Sequence, residues 1–177
     1  KGEQIKTLQP VPKDYKFNDI EFKNLLFVTK NGIVKRTSVS EFENINRNGK
    51  IAISLKENDE LAFVKLTTGN DEIIIAGSNG KAVRFNEDQI RVMGRSAAGV
   101  TGFNCDGSEV VGVALSNEGK TILSISENGY GKRSYLEDYR LTSRGKKGVR
   151  TINITEKTGK LVSVKAVNGD EDVMIVS

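Results

Sequence analysis

The chain has 177 residues, with 27 Lys/Arg against 23 Asp/Glu, no histidine, one cysteine and two prolines. This excludes a disulfide framework and a zinc-ligand cluster. Its apolar runs fall well short of the roughly 20 residues needed to cross a bilayer, and Lys1 to Pro10 holds no apolar signal-peptide segment, so the expected compartment is a reducing cytoplasm.

Residues 1–24 open on GEQI, which resembles NDEL at 58–61 and GSEV at 107–110 and reads as the tail of a preceding repeat. A chain that begins in mid-pattern at Lys1 reads as part of something longer. Pro10, Pro12 and the polar run to Asn18 predict a loop. Repeat one (25–70) starts with the apolar run Leu25 to Val28 and reaches Asn31-Gly32, a hairpin signal expected to form a type I′ turn with both central residues at positive φ. Ile33 to Arg36 is the returning strand, and Ser38 to Asn48 is a polar connection anchored by Phe42. KIAISL (50–55) and LAFVKL (61–66) are two further strands. Repeats two (71–119) and three (120–170) copy the plan, and Val173 to Val176 in 171–177 begins a further unit.

The copies align on Asn31-Gly32, Asn79-Gly80 and Asn128-Gly129, spaced by 48 and 49 residues. Five places after each Asn stands an arginine (Arg36, Arg84, Arg133), and eleven places after stands a large apolar or aromatic residue (Phe42, Ile90, Tyr139). A glycine that opens a β-branched segment follows (Gly49, Gly99, Gly148). Four short strands per unit of this period indicate an all-β propeller-like array. The windows 30–50, 79–99 and 128–150 hold 16 Lys/Arg against 6 Asp/Glu, a net of +10, and all other residues hold 11 against 17, a net of −6. Base recurring at one place in each unit forms a stripe suited to a polyanion.

The words NRNGKIAI (46–53), MGRSAAGV (93–100), SENGYGKRS (126–134) and YRLTSRGKKGV (139–149) resemble the C-terminal region of bacterial DNA gyrase A subunits, from about Gly2 to the end. The resemblance implies a β-pinwheel, a disc of four-stranded blades that can exchange strands, whose basic outer rim wraps duplex DNA in support of negative supercoiling. It implies a non-catalytic domain without cofactor or metal, whose partners are double-stranded DNA and, within gyrase, the B subunit together with the rest of the A subunit, in the bacterial nucleoid. The related C-terminal domain of topoisomerase IV and a propeller serving as a protein-interaction platform are the alternatives. The chain departs from the family in one respect: nothing here begins with the glutamine of the family's Arg/Gly/Lys-rich box, and SRGKKGV (143–149) is the nearest degenerate copy.

The expected phosphate contacts fall in three groups. The hairpin bases are Lys35, Arg36, Arg84, Lys132 and Arg133, for which edge-strand charge that blocks further pairing is the competing reading. The connection of repeat one adds Arg47 and Lys50, and that of repeat two adds Arg91 and Arg95. The loop of repeat three supplies Arg140, Arg144, Lys146, Lys147 and Arg150, with Gly145 and Gly148 allowing close backbone approach to a phosphate strand. Tyr139 reads as a loop anchor, since its register partners Phe42 and Ile90 lack a hydroxyl. Glu41, Glu87-Asp88 and Glu137-Asp138 read as turn caps, and Cys105 as a small buried or half-buried residue without redox role.

Overall fold

The computed structural model describes the backbone of residues 3–8, 16–17, 20–42 and 50–168, and the side chains of 21–42 and 53–168. The strands in chain order are β1 (Glu3–Leu8), β2 (Lys16–Phe17), β3 (Ile20–Glu21), β4 (Asn24–Thr29), β5 (Ile33–Ser38), β6 (Lys50–Lys56), β7 (Leu61–Thr67), β8 (Glu72–Gly77), β9 (Lys81–Asn86), β10 (Val100–Thr101), β11 (Val110–Leu115), β12 (Thr121–Ser126), β13 (Gly131–Tyr135), β14 (Val149–Arg150) and β15 (Leu161–Val167). Helical structure among the described residues amounts to three 3₁₀ turns, Val39–Phe42, Glu87–Gln89 and Leu136–Asp138. The expected run Val173 to Val176, Arg47 and the side chain of Lys50 lie outside the described residues.

The apolar runs become central strands because both their faces are covered. β4 lies between β5 and β7, β8 between β11 and β9, and β12 between β13 and β15, all antiparallel. Alternation then sends neighbouring side chains into different cores. Leu26 and Val28 join Ile73, Ile75, Phe85 and Phe103 between the first two sheets. Ile74 and Ala76 turn the other way, onto Ala114, Ile122, Tyr139 and Ile152. Leu25 and Phe27 pack with Phe42, Ile53 and Leu55 on the far face of the first sheet. Each fully buried Leu, Ile or Phe of this kind contributes about 1.5–3 kcal/mol.

The Asn-Gly hairpins form, but not as type I′ turns. Gly32, Gly80 and Gly129 have φ of 89°, 82° and 85°, while Asp106 is the one described non-glycine residue at positive φ, so each Asn stays at negative φ. The amides of these glycines donate to Thr29, Gly77 and Ser126 three residues earlier. The turn is therefore closed one residue sooner than expected, with Asn at its third position and the glycine alone in the left-handed region. This is the longer hairpin loop in which a left-handed glycine follows a tight turn.

The strand after each loop glycine pairs upstream rather than within its own repeat. β10 pairs with β5, β14 with β9, and β6 with β1. The first two full sheets thus run β10-β5-β4-β7 and β11-β8-β9-β14, each drawing its fourth strand from the following repeat. Gly99 and Gly148 make this possible, because a Cβ there would run into the carbonyl oxygens of Val34 and Ala82. β11 packs between β15 and β7 on the inner side, which leaves β5, β9 and β13 along the outer side.

Candidate nucleic-acid interface

Three of the hairpin bases are turned inward. The Lys35 side chain is fully buried, its ammonium donating to the Arg95 carbonyl and standing 5.8 Å from the centroid of the Phe27 ring. Burial, followed by the charge of Arg95, lowers its pKa to about 8. Lys35 is therefore not part of an exposed interface, because β5 points it at Phe27.

Arg36 and Arg84 are interblade clamps. Arg36 Nη1 donates to Glu87 Oε1 at 2.9 Å, and its Nε donates to the Ile90 carbonyl. Glu87 is fully buried and also accepts from Thr67 Oγ1 at 2.9 Å and the Asp71 amide at 2.7 Å. Arg84 Nε and Nη2 donate to Glu72 Oε2 at 2.8 and 2.6 Å, and Nη1 donates to the Tyr139 carbonyl at 2.8 Å. Both guanidinium groups thus hold the carbonyl of the same register position in the next repeat, eleven residues after its Asn. Backbone bonds from the Met93 amide to the Arg36 carbonyl and from the Thr142 amide to the Arg84 carbonyl fasten the same two segments. The expectation of phosphate contact at Arg36 and Arg84 gives way to this use: both guanidinium groups are occupied by a carboxylate and a carbonyl.

The connecting loops leave the outer edge between two pinned points. After Met93 the chain projects through Gly94 to Gly99 and returns at Val100, paired with Val34; after Thr142 it projects through Ser143 to Gly148 and returns at Val149, paired with Ala82. Successive loops stack. The Gly145 amide donates to Gly102 O at 2.7 Å and the Asn104 amide to Lys146 O at 3.0 Å, while Ser54 Oγ donates to Ser96 O at 2.7 Å one repeat earlier. Arg144 braces the stack, with Nε donating to Gln89 O at 3.1 Å and Nη1 to Thr101 O at 2.9 Å. Its role in the loop is structural before it is electrostatic.

Arg91, Lys132, Arg133, Arg140, Lys146, Lys147 and Arg150 are exposed, and Arg95 is half-buried. Lys147 Nζ lies 3.6 Å from Asp106 Oδ1 with both side chains about half exposed, a pairing worth roughly 0–1 kcal/mol that a phosphate can displace. The exposed bases cluster on the outer side of repeats two and three. Tyr139 is buried with its hydroxyl bonded to that of Thr151, and Phe42 and Ile90 are buried at the same register. Cys105 is buried, which together with Asp59 and Glu109 pushes its thiol pKa up to about 11. Asn86 caps the second 3₁₀ turn through the Asp88 amide at 3.0 Å, whereas Glu87, read as a cap from sequence, faces Arg36. Glu87 and Glu72 are the residues that sequence reasoning missed; the recurrent arginine itself was the available signal that a recurrent acid should be sought.

Among the described residues no helix is long and apolar enough to cross a membrane. A family model described as DNA gyrase C-terminal domain, beta-propeller, matches residues 23–68, 71–117 and 120–168. The DNA gyrase A subunit of Ureaplasma parvum serovar 3 is 46% identical over 178 residues, covering 100% of this chain and 20% of the relative. That of Staphylococcus epidermidis is 50% identical over 156 residues, covering 86% of this chain and 18% of the relative. The chain spans about a fifth of the length of these relatives. A solved DNA gyrase A C-terminal domain superposes with a TM-score of 0.73 at 28% identity, over 82% of this chain and 49% of that one. The C-terminal domain of DNA topoisomerase IV gives 0.72 at 29% identity, over 82% and 46%. With matches in three successive stretches and sheets that repeat in step with them, the chain belongs to the DNA gyrase C-terminal domain family, an all-β propeller of the pinwheel kind.

Proposed function

We propose that this chain binds duplex DNA along its outer loops and holds it in a bend, as the DNA-wrapping part of a gyrase A subunit that supports negative supercoiling. The observation that carries the reading is the sorting of base: Lys35, Arg36 and Arg84 are used inside, while Arg91, Arg140, Lys146, Lys147 and Arg150 remain exposed on the outer side. Arginine and lysine on stacked loops neutralise phosphates without reading base edges, so sequence preference is weak. Smooth bending by about 40–90° over roughly 20–30 base pairs costs on the order of 1–6 kcal/mol, which several phosphate contacts offset. The domain is non-catalytic and needs no cofactor. Its protein partners are the gyrase B subunit together with the rest of the A subunit, in the bacterial cytoplasm at the nucleoid. The gyrase assignment is preferred to topoisomerase IV because the relative that covers the whole chain at 46% identity and those that cover 86% of it at 50% are gyrase A subunits.

Titrating the protein with duplexes of unrelated sequence at several salt concentrations tests this. Five phosphate contacts give a slope of log affinity against log salt of about −4 to −5. A slope near zero, or a saturable protein partner that added DNA does not displace, would support the interaction-platform reading instead.

A further inference from the structure

Two large apolar side chains stand open on the basic outer side, at one register of successive repeats. Val92 is 45% exposed and Leu141 is 54% exposed. Each lies thirteen residues after its repeat's Asn and directly follows an exposed arginine, Arg91 or Arg140. Each is held against the outer strand by a parallel bridge, Val92 to Arg36 and Leu141 to Arg84. One exposed apolar residue needs no explanation. Two at the same anchored position, each beside a cation, call for one.

Leu141 lies in a groove of about 520 Å³ that is also lined by Val149, itself 44% exposed, and by Arg140, Lys146 and Lys147. An isolated phosphate would use the cations and gain nothing from leucine and valine. The minor groove of a duplex offers both surfaces, with apolar deoxyribose faces along its walls and a row of phosphates on either lip. Apolar side chains that enter it open a base step and kink the duplex toward the major groove. Building on the DNA-binding reading above, we infer that Leu141 and Val92 are minor-groove wedges that bend DNA around the outer side. Arg140 and Arg91 hold the flanking phosphates. Repeat one carries Asn44 at this register, so the wedges belong to repeats two and three.

The consequence is a preference for deformability rather than for bases. Pyrimidine–purine steps unstack easily, so a duplex carrying them at helical spacing is bound better than one of equal length and composition without them. The test compares these two duplexes, with affinity read by fluorescence anisotropy and bending by end-to-end energy transfer. Native protein should favour the flexible duplex by about tenfold, and Leu141→Ser with Val92→Ser should reduce that ratio to near one. The slope of log affinity against log salt should stay unchanged, because no charge is removed. Leu141→Met should retain the preference, which separates loss of the wedge from loss of the fold. The inference is overturned if native protein binds with a steep salt slope but no step preference, if the double serine variant keeps the preference, or if its salt slope falls in parallel. A flat salt slope in the native protein would instead remove the DNA-binding reading itself, and the wedges with it.

Discussion

Replacing Arg36 by Met should destabilise the protein far more than replacing Arg84, although the two arginines occupy the same register. The Glu87 carboxylate is fully buried and has three donors, of which Arg36 is the one carrying charge. Methionine fills much of the volume but leaves a buried anion on two neutral donors, a loss of about 3–5 kcal/mol. Against a typical total of about 5–15 kcal/mol this is a large displacement of the urea midpoint. Glu72, the partner of Arg84, keeps 25% of its side chain exposed, so water solvates it when the guanidinium goes. Arg84→Met should therefore cost only about 1–2 kcal/mol. The double variant Arg36→Met with Glu87→Gln should recover about 2 kcal/mol relative to Arg36→Met alone, since the buried charge is removed, the glutamine oxygen accepts from the Asp71 amide and its NH2 donates to Thr67 Oγ1. Urea unfolding followed by far-ultraviolet dichroism, at equal m-values, gives these differences. Equal losses for Arg36→Met and Arg84→Met, or a double variant weaker than the single, would refute the assignment of Arg36 to a buried clamp.

Removing Lys146 and Lys147 together by alanine should lower the magnitude of the DNA salt slope by about 1.8, at about 0.9 per phosphate contact, whereas the equally charged pair Lys157 and Lys160 should change it little; equal changes in both pairs would mean bulk charge alone. Lys35 has a folded pKa of about 8, below the ordinary 10.5, so the folded state holds its proton less tightly than the unfolded one. Its buried charge opposes folding fully below pH 8, and stability should rise relative to Lys35→Met by up to about 3 kcal/mol as pH goes from 8 to 10.5; parallel stability–pH curves would contradict this. Gly129→Ala meets no atom within 4 Å and should cost about 1–2 kcal/mol from its left-handed backbone alone. Gly148→Ala has the same backbone strain and also drives a Cβ into the Ala82 carbonyl, so it should cost clearly more and loosen β14; similar midpoint shifts in thermal unfolding would show that the strand contact does not matter.

The central strands were legible because burial on both faces leaves no room for polar alternation: LLFV, IIIA and ILSI announce strands covered on each side. The hairpins were legible as hairpins, but their turn type was not. Asn-Gly is compatible with both closures, and the choice depends on which amide reaches the Thr29, Gly77 or Ser126 carbonyl. Strand exchange was invisible in composition, since β10 and β14 have two residues each and only a three-dimensional partner distinguishes their own repeat from the one before. Lys35 could not have been placed from register alone: four residues after its Asn, repeat two carries the buried Val83 and repeat three the exposed Lys132, so the position serves a core in two repeats and the surface in the third.

The charge segregation along the sequence combines two populations with opposite fates, and separating them changes where DNA is expected to lie. A repeated arginine at a fixed distance from a turn invites an electrostatic explanation, but at Arg36 and Arg84 the guanidinium binds a carbonyl of the next repeat, beside the point where its loop leaves the outer edge. The acid that neutralises it then differs from repeat to repeat. Glu87 comes from the following repeat for Arg36, while Leu136 stands at that register in repeat three and Arg84 uses Glu72 from the preceding strand instead. Either acid satisfies the clamp, and the guanidinium groups of Arg36 and Arg84 are both taken up by a carboxylate and a carbonyl, while Arg133 at the same register stays exposed. Loop bases have no such obligation. Lys146, Lys147, Arg140 and Arg150 stay exposed because the loop's backbone bonds and Arg144 already fix its shape. The outer side of repeats two and three therefore carries the usable field, and a duplex guided by phosphate contacts alone should cross the molecule there.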